Sequence, residues 1–229
     1  MFSKYIYSRE SLEKKADEIN EKYYPDRLNN VVKLDPYDMV EKMGLDVEWN
    51  YLSPNMKILG MIFFDDGVWP IWDDDNYKIG KEPKFKSFKK GTIVINTILT
   101  DKKYKCKEVF DCTHEISHWI KDKSYFESHP TDYIHVCKSE DFEKTYWSNG
   151  MSELDIIERQ TNYLAAAILM PRDLIKKEFF KRLRYKNIPD GTIKYETYMK
   201  KVINELAKEF GLNYNPVLYR LYDLNILER

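Results

Sequence analysis

Cysteine, glycine, histidine and any excess of one charge are all scarce in this 229-residue chain. The cysteines number three (Cys106, Cys112 and Cys137), an odd count without metal-type spacing. That argues against a disulfide framework and reads as the reduced thiols of a cytosolic protein. Lysine and arginine total 37 against 38 acidic residues, a formal charge of −1. No global attraction to nucleic acid or to anionic membrane is expected from such a balance. Long apolar runs are missing too. The longest, Tyr163 to Pro171, is far too short to span a bilayer, and the opening "MFSKYIYSRE" has no core of signal-peptide length. Eight glycines beside 18 tyrosines suit a compact globular domain rather than a disordered one. The expectation is a cytoplasmic protein without membrane association.

What is present has helical and strand periodicity in distinct blocks. Leu12, Ala16, Ile19 and Tyr23 recur at helical spacing after Ser8, and Pro25 stops them. Asp35-Pro36 reads as an N-cap and first-turn proline, with Gly44 just past the end of that helix. "LDVEWNYL" alternates as a strand, and "GMIFFDDGVWPIW" reads as two strands joined in a hairpin at Asp66-Gly67. Residues 73 to 91 read as a lysine-rich loop or insertion. "TIVINTIL", Thr92 to Leu99, is the best strand in the chain.

A helix follows from about Tyr104 to Ile120, then an irregular segment over 121 to 150. Ser152 caps the next helix, "ELDIIERQTNYLAAAILM", with Asp155 as the reciprocal capping acid and Pro171 as its stop. "RDLIKKEFFKRL", "YETYMKKVINELAKEF" and "PVLYRLYDLNI" are further helices. The layout is α+β: a small mixed sheet packed on helices, then a helical C-terminal part.

The helix before the irregular segment carries the chemistry, in "FDCTHEISHWIK". His114 and His118 are one helical turn apart, so both imidazoles project from one face and can reach one zinc ion at about 2.0–2.1 Å. Glu115 points about a quarter-turn away, where it would take a proton from an attacking water and pass it to a leaving amine. A shuffled chain with these four histidines would show H-E-x-x-H by accident roughly once in two hundred times. The competing reading is an exposed helix with two solvated histidines. A catalytic zinc needs a third protein ligand. His129, Asp132, His135, Glu153, Asp155 and Glu158 are the candidates downstream. Glu158 stands out because it extends the apolar stripe of Thr161, Leu164, Ala165, Ile168 and Leu169 by one turn, and a carboxylate aimed at a core needs a partner or a metal. Asp155, one turn earlier, could instead hold the second N–H of a ligand histidine, or could simply cap its helix.

At this point the sequence resembles the ImmA/IrrE-type zinc metallopeptidases. That family joins an H-E-x-G-H-like helix to a later E-x-x-A-N-x-F-A-x-x-L-L-M-P helix. Here the later helix is "ERQTNYLAAAILMP", matching at Glu158, Asn162, Ala165, Leu169, Met170 and Pro171. The leading helix, "DPYDMVEKMGLDVEW", the glycine-led hairpin and the I-V-I-N strand are similar as well. So is the tail, "INELAKEFGLNYNPVLYRLYDLNIL". Ser117 stands where a glycine is common, Thr161 and Leu164 where alanine and phenylalanine are, and the longer gap before Glu158 suggests a lid or recognition loop over 121 to 150.

The resemblance implies His114, His118 and Glu158 as zinc ligands and Glu115 as general base. It implies a zincin-like core over residues 1–170 and a helical region over 171–229 with a helix-turn-helix-like layout. It also implies a cytosolic endopeptidase that cuts a regulatory protein, such as a helix-turn-helix repressor of a mobile element or a stress response. The alternative is a non-hydrolytic sensor or partner-binding module on the same fold.

Other features carry less. "TIVINTIL" could serve as the edge to which an extended peptide adds. The last helix offers Tyr219, Arg220 and Tyr222 beside Asp223, a poor set for reading base edges, so protein contact is favoured over DNA. The lysines around Phe85 and Phe88 read as a solvated loop. Tyr125, His129, Tyr133 and His135 are candidates to assist an oxyanion, and Cys112 reads as a small buried side chain.

Overall fold

The computed structural model describes residues 6–53, 57–74, 82–128, 134–138 and 152–228; for 134–138 the backbone alone is described. The described residues of Met1–Tyr7 and Asp35–Asn162 form one compact unit, and those of Ser8–Leu34 and Tyr163–Arg229 form another. Helices and a small mixed sheet make the α+β class plain. No helix among the described residues is long and apolar enough to cross a membrane.

In the first unit α2 (Pro36–Lys42) starts where the Asp35 carboxylate accepts from the Tyr37 N–H at 3.0 Å, and the chain leaves it through Gly44 at φ +67°. Four strands form the main sheet: β1 (Asp46–Asn50), β2 (Ile58–Phe63), β5 (Thr92–Asn96) and β6 (Ile134–Lys138), in the order β1-β5-β2-β6. β1 runs parallel to β5, and the other pairs are antiparallel. A separate ribbon pairs β3 (Gly67–Ile71) with β4 (Lys84–Phe88). Leu52, Met61, Phe63, Phe88 and Val94 form a core cluster that Trp69 and Ile71 join. The long helix α3 (Lys105–Ser128) packs along β2 and β5.

Several expectations change here. β2 and β3 do not form a hairpin with each other, because both edges of β2 are taken by β5 and β6. The chain bends at Phe64–Asp66 instead, and Asp66 accepts from the Lys90 N–H (2.9 Å) while Gly91 donates to the Phe63 carbonyl (2.8 Å). These bonds close the base of the β3–β4 ribbon. The segment expected to be a loop over 73 to 91 therefore contributes β4, with 75–81 outside the described residues. β5 ends at Asn96, whose side chain accepts from the Ile98 N–H and starts a 3-10 turn; it lies inside the sheet and is not an edge. The segment expected to be irregular gives α3 its last two turns and supplies β6, while 139–151 lie outside the described residues.

Helix α4 (Glu153–Leu169) begins in the first unit and ends in the second. Its start is the expected capping box: the Asp155 carboxylate accepts from the Ser152 N–H at 2.8 Å, and Ser152 Oγ accepts from the Asp155 N–H at 3.2 Å. The second unit holds α1 (Arg9–Tyr23), capped by Ser8, with α5 (Arg172–Arg182), α6 (Met199–Phe210) and α7 (Tyr214–Asp223). α6 begins only at Met199, later than the periodicity suggested. Two buried arginines satisfy the carbonyls that α4 leaves orphaned at its end. Arg27 donates to Ile168 O (3.0 Å) and Leu169 O (2.8 Å), and Arg220 donates to Met170 O (3.1 Å).

Candidate metal centre

The i, i+4 spacing on α3 brings His114 and His118 side by side, with their Nε2 atoms 3.0 Å apart. Glu158, on the first turns of α4, meets both: its Oε2 is 3.3 Å from His114 Nε2 and its Oε1 is 3.2 Å from His118 Nε2. All three residues are buried, and their ligand atoms lie within 4.8 Å of one another. Two atoms each about 2.0–2.1 Å from one tetrahedral ion stand about 3.3 Å apart. The separations are those of donors facing a common cation.

The outer ring nitrogens explain why a cation suits this cluster. His114 Nδ1 lies 2.9 Å from Asn162 Oδ1, and His118 Nδ1 lies 2.7 Å from Asp122 Oδ2. Both partners accept, so each Nδ1 must carry the proton, and each Nε2 is left with its lone pair. Burial alone would raise the Asp122 carboxyl, but the Lys121 charge and the hydrogen bond from His118 outweigh it and hold Asp122 below its ordinary range. Two imidazole lone pairs and a carboxylate therefore converge in a buried site, an arrangement that repels itself until a positive charge joins it. The donor set of two nitrogens and one oxygen fits zinc, with His114, His118 and Glu158 to hold it.

Glu115 lies beside this cluster and is fully buried, and neither of its carboxylate oxygens has a hydrogen-bond partner among the described residues. Burial, then the charges of Glu158 and Asp111, push its carboxyl well above the ordinary range. Room for it comes from β2. A Cβ at Gly60 would stand 2.9 Å from Glu115 Oε1 and 3.2 Å from its Cγ, so the strand can pass the carboxylate only where a side chain is missing. An acid buried without a hydrogen-bond partner among the described residues, next to three metal-type ligands, is placed to handle a proton on a group bound there.

Of the sequence candidates, the fold brings His114, Glu115, His118 and Glu158 together. It takes Asp155 elsewhere: that residue is half-buried, its carboxylate held by Ser152 at the start of α4, and the histidine contacts suggested for it belong to Asp122 and Asn162. Glu153 is exposed. His129, Asp132 and Tyr133, and the side chain of His135, lie outside the described residues. Tyr125 is buried at the base of α3. Ser117 replaces the usual glycine without harm, because its buried hydroxyl donates to Thr113 O at 2.8 Å. Cys112 is fully buried, and burial raises its thiol, which disfavours a reactive thiolate. The reading from sequence missed Gly60, Lys121 and Asp122. Only Asp122 had a signal: it stands four residues after His118, one turn along the same face.

Comparison with known proteins adds one positive finding. Residues 149–222 match the Peptidase_M78 family model, described as the IrrE N-terminal-like domain. The matched stretch contains α4 with Glu158 and Asn162 and runs almost to the end of α7; α3 lies before it. No curated protein matches the chain. Over residues 149–222 the chain is thus similar to a metallopeptidase family, and the buried His–His–Glu cluster assembled from α3 and α4 is compatible with that likeness.

Proposed function

We propose that the chain is a zinc-dependent endopeptidase of the cytoplasm that cuts a regulatory protein, with a helix-turn-helix repressor as the substrate class. The observation that carries the reading is the pairing of two Nε2 lone pairs and a carboxylate with a buried Glu115 that has no hydrogen-bond partner among the described residues. Zinc, when bound by His114, His118 and Glu158, supplies a Lewis acid that polarises a carbonyl and lowers the pKa of water. The chain's own part is to orient and to move a proton. Asn162 and Asp122 fix the tautomer of the two histidines. Glu115 receives the proton of the attacking water and delivers it to the leaving amine. β6 pairs only with β2 among the described strands, so its other edge is where an extended peptide would add by main-chain bonding. That role passes from "TIVINTIL" to β6 because β5 is interior.

A test can proceed before any substrate is named. Zinc-loaded wild type and Glu115→Gln are incubated with extract of the native host, and new peptide N-termini are mapped by chemical labelling. New termini that appear with the wild type and are absent with the variant support proteolysis, and a DNA-binding regulator among them supports the substrate class. No termini above background, or the same termini with Glu115→Gln, would turn the reading toward the non-hydrolytic sensor.

A further inference from the structure

Lys121 is a charged side chain with none of its surface exposed, at a helix position where an apolar residue would cost less. Its ammonium lies 2.6 and 2.7 Å from the two carboxylate oxygens of Asp122. This is not an ordinary surface pair of the i, i+4 kind. Consecutive residues on a helix point about 100° apart, so the lysine stem must fold around the helix to reach its neighbour. The third contact of the ammonium is Ile157 O, at 3.1 Å, on α4 in the peptide unit just before Glu158. Asp122 Oδ2 in turn receives His118 Nδ1, and Thr161 Oγ1 stands 3.2 Å from both. One buried ammonium thus touches the carboxylate that orients one metal-type ligand and the backbone that carries another.

We propose that Lys121 is a positioning residue of the metal centre: it clamps Asp122 so that His118 presents Nε2, and it ties α3 to α4 at Ile157 so that Glu158 meets the histidines. The inference rests on the reading of His114, His118 and Glu158 as a zinc site. Without the ammonium, Asp122 is free to turn away from His118, and α4 loses a direct bond to α3 beside its ligand.

The test is the zinc dissociation constant, read by competition with a chromophoric chelator, for wild type, Lys121→Met, Asp122→Asn and the double variant. All four should bind one zinc per chain. Affinity should fall about 10- to 100-fold in Lys121→Met and by a similar factor in Asp122→Asn. The double variant should lose less than the product of the two factors, since Lys121 and Asp122 share their action on His118 and only the Ile157 contact is separate. The cobalt-loaded forms add a second readout, because a displaced ligand changes the visible bands whereas a loss of stability alone does not. Unchanged zinc affinity in Lys121→Met, or factors that multiply fully in the double variant, would overturn the proposal. Lys121→Met strands a buried carboxylate and could fail to fold. Lys121→Gln, which stays polar but loses the charge and one bond of the reach needed to hold Asp122 and Ile157 O together, is therefore measured beside it. Reduced zinc affinity in Lys121→Gln supports the role, and wild-type affinity there overturns it. A wild type that binds no zinc is a different failure, one of the metal-site reading itself, and it takes this inference with it.

Discussion

Glu115 and Gly60 meet across the gap between α3 and β2, and each is intelligible only through the other. The carboxylate is buried with no donor among the described residues, and the strand beside it has no side chain at the point of contact. Replacing Glu115 by Gln should leave the zinc content unchanged and lower hydrolysis by at least about 10²-fold, because the amide cannot take the proton. Gly60→Ala should also keep zinc while hydrolysis drops by roughly tenfold or more, since the new methyl forces Glu115 Oε1 to move. Elemental analysis and rate measurements on the same preparations check both. Full activity in Gly60→Ala would mean that the general base tolerates displacement, against this account.

At the scale of elements, the helix starts were legible because their causes are local. Asp35 and Ser152 each cap the helix they were expected to cap, and Ser8 caps the helix it was seen to precede. Asp155→Ala should cost about 1 kcal/mol of stability through that cap and leave zinc affinity where it was. Denaturant unfolding together with chelator competition would decide, and a drop in zinc affinity would restore Asp155 to the metal centre. Strand partners were not legible in the same way. β2 pairs with β5 and β6 because those edges meet in space, and nothing in "GMIFFDDGVWPIW" records which edge is free. The site divides along the same line. His114, Glu115 and His118 are set by helical spacing, and Glu158 by a carboxylate on an apolar stripe, so both could be read along the chain. Gly60 and Lys121 owe their roles to neighbours on other elements, Glu115 on α3 for the one and Ile157 on α4 for the other, and no local pattern marks them.

At the scale of the whole molecule, the helical second unit has its own buried electrostatics. Arg220 is fully buried, 2.9 Å from Glu13 Oε2, and the Tyr163 hydroxyl donates to Glu13 Oε1 at 2.6 Å. Arg220 is thus committed to the interior of this unit rather than presented on α7 toward base edges. Burial alone would raise the Glu13 carboxyl, but the hydrogen bond and charge of Arg220 outweigh it and hold it below its ordinary value of 4.5. A depressed carboxyl contributes stability in full above its ordinary value and loses it as the pH falls through the folded value. Stability should therefore drop below about pH 4.5. Glu13→Gln should flatten that drop and cost roughly 3 kcal/mol at neutral pH, where it leaves the arginine without its countercharge. Urea titrations at pH 7 and at pH 3.5 measure both effects, and an unchanged acid dependence in the variant would contradict the assignment.

The central claim is that α3 and α4 together hold one zinc through His114, His118 and Glu158. Metal content by elemental analysis, on wild type and on Glu158→Ala purified side by side with zinc supplied, tests it most directly. About one zinc per chain in the wild type, largely lost in the variant, is the predicted result. A wild type that stays metal-free, or a variant that keeps its zinc, would contradict it.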